Sequence, residues 1–297
     1  MTKEKNFRAY IAWLSICTIW GTTYLAIRVG VKDLPPILFA GLRWIIAGPI
    51  LYLFLRWRGY ELPKKSDLIH LAIVAITLLG IGNGLVAFGE KFVPSGLTAL
   101  LITTVPFWIV GIETFLPHGK KINIKVAGGL VLGLAGVALI LGDDLKGLLN
   151  SNYLIGVISL MIAVVGWSAG SVYSKYKKVT VHPLMGAAVE MIIAGVVLTI
   201  IASVLGEFSQ LKFTSESLTA FIYLIIFGSL IGYSSYIYSI AHLPVSFVST
   251  YAYINPVIAL FLGWLILGEE ISFRILIATA IILAGVMLVK RGNESKL

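Results

Sequence analysis

Charged residues are scarce in this sequence. Asp, Glu, Lys and Arg together make up 12% of its 297 residues, whereas a soluble globular protein contains about 25%. Hydrophobic residues make up 58% of the chain, and the mean hydropathy is +0.95. This composition excludes an ordinary soluble domain and predicts that most of the chain lies in a lipid bilayer.

Cysteine and histidine are also rare. The single cysteine, Cys17, excludes an intramolecular disulfide and a cysteine-based metal site. The four histidines form no ligand pair at helical spacing, and no glycine-rich phosphate loop precedes a predicted helix. An intramembrane enzyme would need a nucleophile with a base, or clustered metal ligands, at one depth. We therefore expect no metal, no cofactor and no enzymatic activity.

The apolar residues form ten continuous runs, each long enough for the roughly 20 helical residues that cross a bilayer core. Continuous runs favour helices, because barrel strands are shorter and alternate in polarity. We predict an all-α integral membrane protein with ten transmembrane helices. The runs span residues 10–29, 35–55, 68–88, 94–116, 122–141, 153–173, 184–205, 218–240, 245–267 and 273–290.

An internal repeat relates the two halves of the chain. Landmark residues coincide under a shift of 147 or 150: Trp20 with Trp167, Pro36 with Pro183, and Pro94 with Pro244. We predict two five-helix repeats, residues 1–147 and 148–297. Because five is odd, the second repeat enters the membrane upside down, as in carriers whose binding site lies between inverted repeats near the bilayer midplane.

Basic residues are distributed unevenly between the predicted loops. With the N-terminus inside, 16 Lys and Arg residues fall in inner segments and 6 in outer segments. This follows the positive-inside rule and predicts cytoplasmic termini in a bacterial or archaeal cytoplasmic membrane. The net charge of +9 is thus a topology signal. The basic clusters are too short to favour a nucleic-acid partner.

Several short segments resemble the EamA-type units of the drug/metabolite transporter superfamily. They occur in order along nearly the whole chain: Trp20–Arg28, Pro35–Pro36, Arg43–Gly48, Gly133–Val137, Gly268–Glu270 and Ala284–Val286. The resemblance implies secondary transport that exports amino acids, related metabolites or drugs. Where the second half has Gly268–Glu270, the first half has His118–Lys120, so any role of the acidic turn belongs to the second half.

Helical spacing places polar and aromatic side chains on shared faces of the predicted helices. A cavity with aromatic walls and few hydrogen-bonding groups suits a small amphipathic solute. The alternative is that these residues only pack helices or form interfacial belts. The candidate substrate-binding residues are Trp20, Tyr24, Asn83, Thr103, Trp167, Tyr233, Tyr236 and Tyr253.

The candidates for charge recognition or coupling inside predicted spans are Arg43, Glu113 and Glu190. A charge at mid-bilayer costs at least about 2.5–3.5 kcal/mol. Arg43 either attracts a carboxylate or bonds to carbonyls that hold the fold together. Glu190 is a candidate to bind a proton or balance a cationic solute. Glu113 either takes part in coupling to protons or reaches the nearby membrane surface.

Pro106 and Pro256 occupy repeat-equivalent positions within predicted helices. Each removes one internal hydrogen bond and favours a kink. We consider both as hinges, the alternative being static bends satisfied by neighbouring helices.

Together these features predict a secondary transporter that exports small metabolites such as amino acids by alternating access through a central aromatic cavity. The alternatives are an efflux carrier for drugs or lipophilic cations, and a passive channel or receptor. A channel predicts flux that no counter-gradient accelerates, which distinguishes it from a carrier.

Overall fold

The computed structural model describes residues 3–116, 123–141 and 150–294, and these residues form helices and connecting turns without a strand. Each predicted apolar run overlaps one helical segment. We number the segments α1 (Lys3–Asp33), α2 (Pro36–Trp57), α3 (Lys65–Glu90), α4 (Ser95–Ile102 and Val105–Thr114), α5 (Ile124–Leu141), α6 (Ser151–Tyr176), α7 (Pro183–Val204), α8 (Ser215–His242), α9 (Val245–Val248 and Tyr251–Leu267) and α10 (Phe273–Glu294).

Seven helices in the described part of the chain are long and apolar enough to cross a membrane: α1 to α4 and α6 to α8. Within the described residues, the apolar helical stretches of α5, α9 and α10 are shorter than those of the other seven helices. The predicted class, an all-α integral membrane protein, is confirmed. Ten spans and their inverted arrangement stay a prediction. The predicted repeat boundary at 147 and the turn 118–120 lie outside the described residues.

Local sequence explains where the helices begin and end. Pro36 and Pro183 lie in the first turns of α2 and α7, where a missing N–H costs no hydrogen bond. Gly206 and Gly268 adopt positive φ angles of 70° and 66° just after α7 and α9, a conformation that glycine adopts without strain. Gly59, the equivalent of Gly206 under the shift of 147, likewise has a positive φ angle of 83° just after α2. The local signals that bound α2 and α7 therefore recur in both halves.

The packing of helices follows the internal repeat. The most extensive contacts join α2 to α7 and α5 to α10, which are repeat-equivalent pairs. Helix α1 packs against α8 and α9, and α6 packs correspondingly against α3 and α4. Exchanging the two halves therefore leaves the pattern of the main helix contacts unchanged. Both halves contribute to one large buried apolar core.

Glycines at the crossing of α2 and α7 allow backbone to approach backbone. A Cβ atom added at Gly195 would lie 2.4 Å from the backbone nitrogen of Ile45, and one added at Gly48 would lie 2.8 Å from that of Ile192. Gly48 and Gly195 are repeat equivalents under the shift of 147. Small residues at both positions let this pair of helices pack closely, as is common within membranes.

Two local departures from α-helical geometry also repeat. Helix α3 is a π-helix over Ala75–Asn83, and α8 is a π-helix over Leu224–Tyr233. Such segments often occur at functional sites because they redirect side chains. They end at Asn83 and Tyr233, the repeat-equivalent residues predicted to face the cavity. The helical break in α4, in contrast, lies at 103–104 and that in α9 at 249–250, which are not equivalent positions.

Candidate functional site

A cavity lies where the two halves meet. Helices α1 to α4 contribute to its wall from the first half, and α6, α8 and α9 from the second. Including the space at its open side, about 620 Å³ within its walls is not occupied by protein atoms. Its lining residues are Trp20, Thr23, Tyr24, Ile27, Arg43, Trp44, Gly82, Asn83, Val86, Ile102, Val105, Ala163, Trp167, Gly228, Tyr233 and Tyr251.

A cluster of aromatic rings closes one side of the cavity. The rings of Trp20 and Trp167, which are repeat equivalents, meet edge to face with centroids 5.3 Å apart. Tyr251 packs edge to face on Trp20 at 5.1 Å, and Tyr236 lies 5.1 Å from Trp167. Tilted and edge-to-face contacts of this kind stabilise aromatic clusters beyond the effect of area burial. The cluster therefore forms an aromatic wall to which both halves contribute, with Trp20 from the first half and the other three rings from the second.

Arg43 forms a charged part of the wall. Its side chain on α2 is 3% exposed, and its Nη2 donates a hydrogen bond to Oδ1 of Asn83 on α3. The guanidinium carbon lies 4.1 Å from the centre of the Trp44 ring, a cation–π contact. Of the described residues that line the cavity, Arg43 alone carries a full charge at neutral pH. The wall is therefore positive at this point.

Glu190 mirrors Arg43 across the internal repeat. It lies on α7, is 2% exposed, and accepts a hydrogen bond of 2.7 Å from the hydroxyl of Tyr233 on α8. Because Tyr233 is the repeat equivalent of Asn83, the two hydrogen bonds join corresponding residues of corresponding helices. The Trp44 and Tyr233 rings, 5.6 Å apart, connect the two pairs into one continuous network beside the cavity.

Five of the eight predicted binding residues line this cavity, and three do not. Thr103 is fully buried, and its Oγ1 donates a hydrogen bond of 2.9 Å to the carbonyl of Ala99. Tyr236 lies within the aromatic cluster and contacts the Ser171 hydroxyl at 2.6 Å. Tyr253 is half-buried outside the lining. Whether any of the eight binds a substrate stays a prediction.

Sequence reasoning missed Trp44 and Tyr251 as lining residues. Trp44 directly follows Arg43, and this position next to an intramembrane charge could have identified it from the sequence. Tyr251 is the first residue of the long segment of α9. The sequence prediction treated α9 as one continuous helix and therefore chose Tyr253. The break before Tyr251 rotates the following segment, so that Tyr251 faces the cavity instead.

The other predicted residues lie away from the cavity lining. Glu113 is half-buried on α4 and accepts a hydrogen bond of 2.9 Å from the Tyr176 hydroxyl. Pro106 lies in the first turn after the break in α4, whereas Pro256 lies inside the continuous helix Tyr251–Leu267. The two prolines therefore occupy different local structures, and their role as hinges stays a prediction.

Cationic side chains cap the ends of α3 and α8. A guanidinium nitrogen of Arg28 on α1 donates to the carbonyl of Glu90. The Lys175 ammonium on α6 donates to the carbonyls of Ile240 at 2.9 Å and Leu243 at 2.8 Å. Cations are favourable at helix C-termini, where carbonyls lack partners. Arg28 and Lys175 are themselves repeat equivalents under the shift of 147.

One of the polar contacts between the halves is made by a turn whose equivalent in the first half lies outside the described residues. Glu269, in the turn between α9 and α10, accepts hydrogen bonds from the Ser95 backbone at 2.8 Å, the Ser95 hydroxyl at 2.8 Å and the Gly96 backbone at 3.0 Å. The carboxylate thus caps the N-terminus of α4, where unpaired N–H groups and the helix dipole favour an anion. We call this contact the α4 latch.

The fold and the cavity define a helical integral membrane protein with an internal cavity between its two halves. The chain matches the EamA-like transporter family over residues 7–142 and again over residues 154–291. It therefore belongs to this family, as the sequence resemblance predicted. The two matched segments fall one in each predicted half.

Similar proteins carry transporter names. The chain is 36% identical over 287 residues to an inner membrane transporter named YedA of Escherichia coli strain K12, which covers 95% of this chain and 90% of that protein. It is 27% identical over 276 residues to a transporter named YoaV of Bacillus subtilis strain 168, covering 93% and 94% of the two chains. The chain is thus an integral membrane transporter.

One solved crystal structure supports the fold. It superposes on this chain with a TM-score of 0.71 at 23% sequence identity and covers 95% of this chain and 96% of its own. At this identity the likeness concerns the fold alone.

Proposed function

We propose that this transporter is a secondary carrier that exports small metabolites such as amino acids by alternating access. The cavity between the halves carries the proposal, because its walls combine repeat-equivalent residues such as Trp20 with Trp167 and Asn83 with Tyr233. A site enclosed by two related halves opens to either side when one half rocks against the other. The long helices and the family membership support this mechanism.

The charge in the wall supports a solute with a carboxylate group. Arg43 presents a guanidinium among aromatic side chains, and guanidinium groups pair with carboxylates through strong hydrogen bonds. The same charge repels a lipophilic cation, so it favours carboxylate-bearing metabolites over the alternative of cation efflux. The aromatic cluster suits an apolar side chain on the same solute.

Two buried hydrogen-bond donors, one on Arg43 and one on Trp44, support the same solute class. Neither Nε of Arg43 nor the indole nitrogen of Trp44 has a hydrogen-bond acceptor. A buried donor without an acceptor costs about 1–3 kcal/mol. A bound carboxylate would supply acceptors after a small movement of these side chains, so binding would recover part of that cost.

Counterflow in proteoliposomes tests the proposal. Vesicles are loaded with one unlabelled amino acid at a time, and entry of the same labelled amino acid is followed. A carrier gives transient accumulation of label that saturates with concentration, whereas a passive channel gives equilibration without accumulation. Accumulation for none of the twenty amino acids, with folded protein in the vesicles, would contradict the proposed substrate class.

The role of Arg43 is tested in the same assay with Arg43→Gln and the control Arg58→Gln, whose side chain is exposed. We expect Arg43→Gln to weaken counterflow of the free amino acid while leaving that of its methyl ester unchanged. The control should transport both as the parent protein does. Equal loss for acid and ester in Arg43→Gln would contradict recognition of the carboxylate.

We further propose ten membrane spans arranged as two inverted repeats with both termini in the cytoplasm. The exchange symmetry of helix contacts and the charge distribution support this topology. In a Cys17→Ala background, we expect Lys212→Cys to react with an impermeant maleimide added outside cells and Glu61→Cys to react only after permeabilisation. Both positions are exposed. Reaction of Glu61→Cys in intact cells would contradict the topology.

A further inference from the structure

A buried carboxylate at the end of α3 takes no part in the contacts described so far. Glu90 exposes 0% of its surface, and neither of its carboxylate oxygens has a hydrogen-bond partner. Buried carboxylates in proteins are normally paired or hydrogen-bonded, because an isolated charge away from water is costly. A fully buried and unpartnered carboxylate therefore needs an explanation.

The groups around Glu90 place it between the cavity and the α4 latch. Helix α6 packs against this end of α3 through Gly156 and Leu160, which are apolar. The nearby Arg28 guanidinium is hydrogen-bonded to the backbone carbonyl of Glu90. Among the described residues, the titratable side chains close enough to interact electrostatically with Glu90 are Tyr24 and Arg28 of α1, Arg43 of α2, and Glu269 of the α9–α10 turn.

Packing alone does not require an acid at this position. The repeat-equivalent residue at the end of α8 is Ile240, which is also buried and whose carbonyl is likewise capped by a cation. The second half therefore has a buried apolar side chain at the equivalent helix end. Glu190, the other fully buried acid beside the cavity, differs because it accepts a hydrogen bond from Tyr233.

We propose that Glu90 is a proton-binding site that couples transport to a proton gradient, a role that rests on the proposed carrier function. Protonation removes the cost of the isolated charge while the site is closed. The α4 latch joins the two halves beside Glu90, so separation of the halves there admits water to the carboxylate. The proton then leaves or enters on the predicted outer side.

The surroundings favour a proton over a metal cation as the ligand. A sodium or calcium ion would need several oxygen ligands around it. The carbonyl of Glu90 is already engaged by Arg28, and both oxygens of Glu269 are engaged by Ser95 and Gly96. Among the described residues, no three His, Cys, Asp or Glu side chains are grouped to hold a metal.

Coupling to transport follows from the position of Glu90 on α3. It lies seven residues, or about two helical turns, beyond Asn83, which holds Arg43 in the cavity wall. A carboxylate solute bound at Arg43 competes for the positive charge that acts on Glu90. Binding of an anion at Arg43 and ionisation of Glu90 therefore oppose each other. The solute and a proton on Glu90 accordingly bind together and cross the membrane in the same direction, so export down the solute gradient carries a proton outward.

The functional test compares Glu90→Gln with the exposed control Glu216→Gln in proteoliposomes, using the amino acid that gives the strongest counterflow. We expect Glu90→Gln to retain counterflow without a gradient but to lose its acceleration by an imposed pH gradient. The control should respond as the parent protein does. An undiminished response in Glu90→Gln, loss in Glu190→Gln alone, or acceleration by sodium instead of protons would overturn the proposal.

A second measurement does not depend on the substrate. Infrared difference spectra between acid and alkaline pH report the carbonyl stretch of a protonated carboxyl group. We expect one such band to be absent in Glu90→Gln and in Glu90→Ile, the residue of the second half, and present in Glu216→Gln. Unchanged bands in both Glu90 variants would overturn the proposal. If the parent protein gives no counterflow, the proposed function fails, and this spectrum still decides whether Glu90 binds a proton.

Discussion

The two halves of the molecule share their framework and differ at their polar contacts. Both contain a π-helical segment in the third helix, a close glycine on the second helix, and a cation that caps the third helix. They differ in that the first half has Arg43, Asn83 and Glu90 where the second has Glu190, Tyr233 and Ile240. Duplication has thus preserved helix packing, while the side chains beside the cavity have diverged in charge.

This difference makes the cavity asymmetric with respect to the two halves. A perfectly symmetric site would present the same groups to both sides of the membrane. Here the guanidinium belongs to one half, and the hydrogen-bonded carboxylate belongs to the other. The α4 latch likewise joins a turn of the second half to a helix of the first. Under the proposed alternating access, opposed movements of the halves would therefore change different contacts in each half.

The largest expected effect concerns the shared framework. Gly195→Ala places a Cβ atom 2.4 Å from a backbone nitrogen of α2, and backbone cannot move aside as a side chain can. We expect destabilisation of about 3 kcal/mol, and a smaller loss for Gly48→Ala, where the distance is 2.8 Å. Thermal unfolding in detergent measures both.

Gly111→Ala is the control for this pair, since a Cβ atom there meets nothing within 4 Å. It should be neutral or stabilising by up to about 1 kcal/mol, because alanine favours helices over glycine. Equal unfolding temperatures for Gly195→Ala and Gly111→Ala would contradict the close backbone contact of α2 with α7.

The second-largest expected effect concerns the α4 latch, which joins the two halves. Glu269→Gln replaces a carboxylate that accepts three hydrogen bonds with an amide that has one acceptor oxygen. We expect a loss of about 2 kcal/mol, since hydrogen bonds to charged groups contribute about 1.5–3 kcal/mol. Glu270→Gln changes the adjacent exposed acid and should leave the unfolding temperature unchanged. Similar losses in both variants would show that local charge, and not the latch, matters.

The third effect tests the hydrogen bond that distinguishes Glu190. Tyr233→Phe leaves a buried carboxylate without this donor, and we expect destabilisation of about 1–2 kcal/mol. Tyr236→Phe is the matched variant: its partner Ser171 also donates to the Trp167 carbonyl at 2.6 Å, so the loss should be smaller. The effect of Tyr233→Phe should shrink in a Glu190→Gln background, as a double-mutant cycle would reveal. Strict additivity would contradict the pairing.

The smallest effect concerns the capping cations. Lys175→Met removes a group that donates to two carbonyls at the end of α8, and we expect a loss of about 1 kcal/mol. Lys177→Met, two residues away and exposed, should have no measurable effect in the same unfolding assay. A loss in Lys177→Met equal to that in Lys175→Met would assign the effect to general surface charge.

Some features of this protein follow from the sequence by itself. Long apolar runs must form helices in lipid, because backbone groups there have no water to bond. Hence the all-helical membrane class and the positions of the helices were predictable. The repeat was visible because Trp20 and Trp167, or Pro36 and Pro183, occupy fixed spacings. The family resemblance rested on the same short segments.

Only the tertiary structure decided which side chains share the cavity and which polar groups pair. Helical spacing assigns a face but assumes regular geometry, and the breaks in α4 and α9 rotate the following segments, so Thr103 and Tyr253 lie outside the lining and Tyr251 lies within it. The pairing of Arg43 with Asn83, the capping of α4 by Glu269 and the isolation of Glu90 join residues far apart in the chain. Their neighbours are set by helix packing, which no local pattern contains.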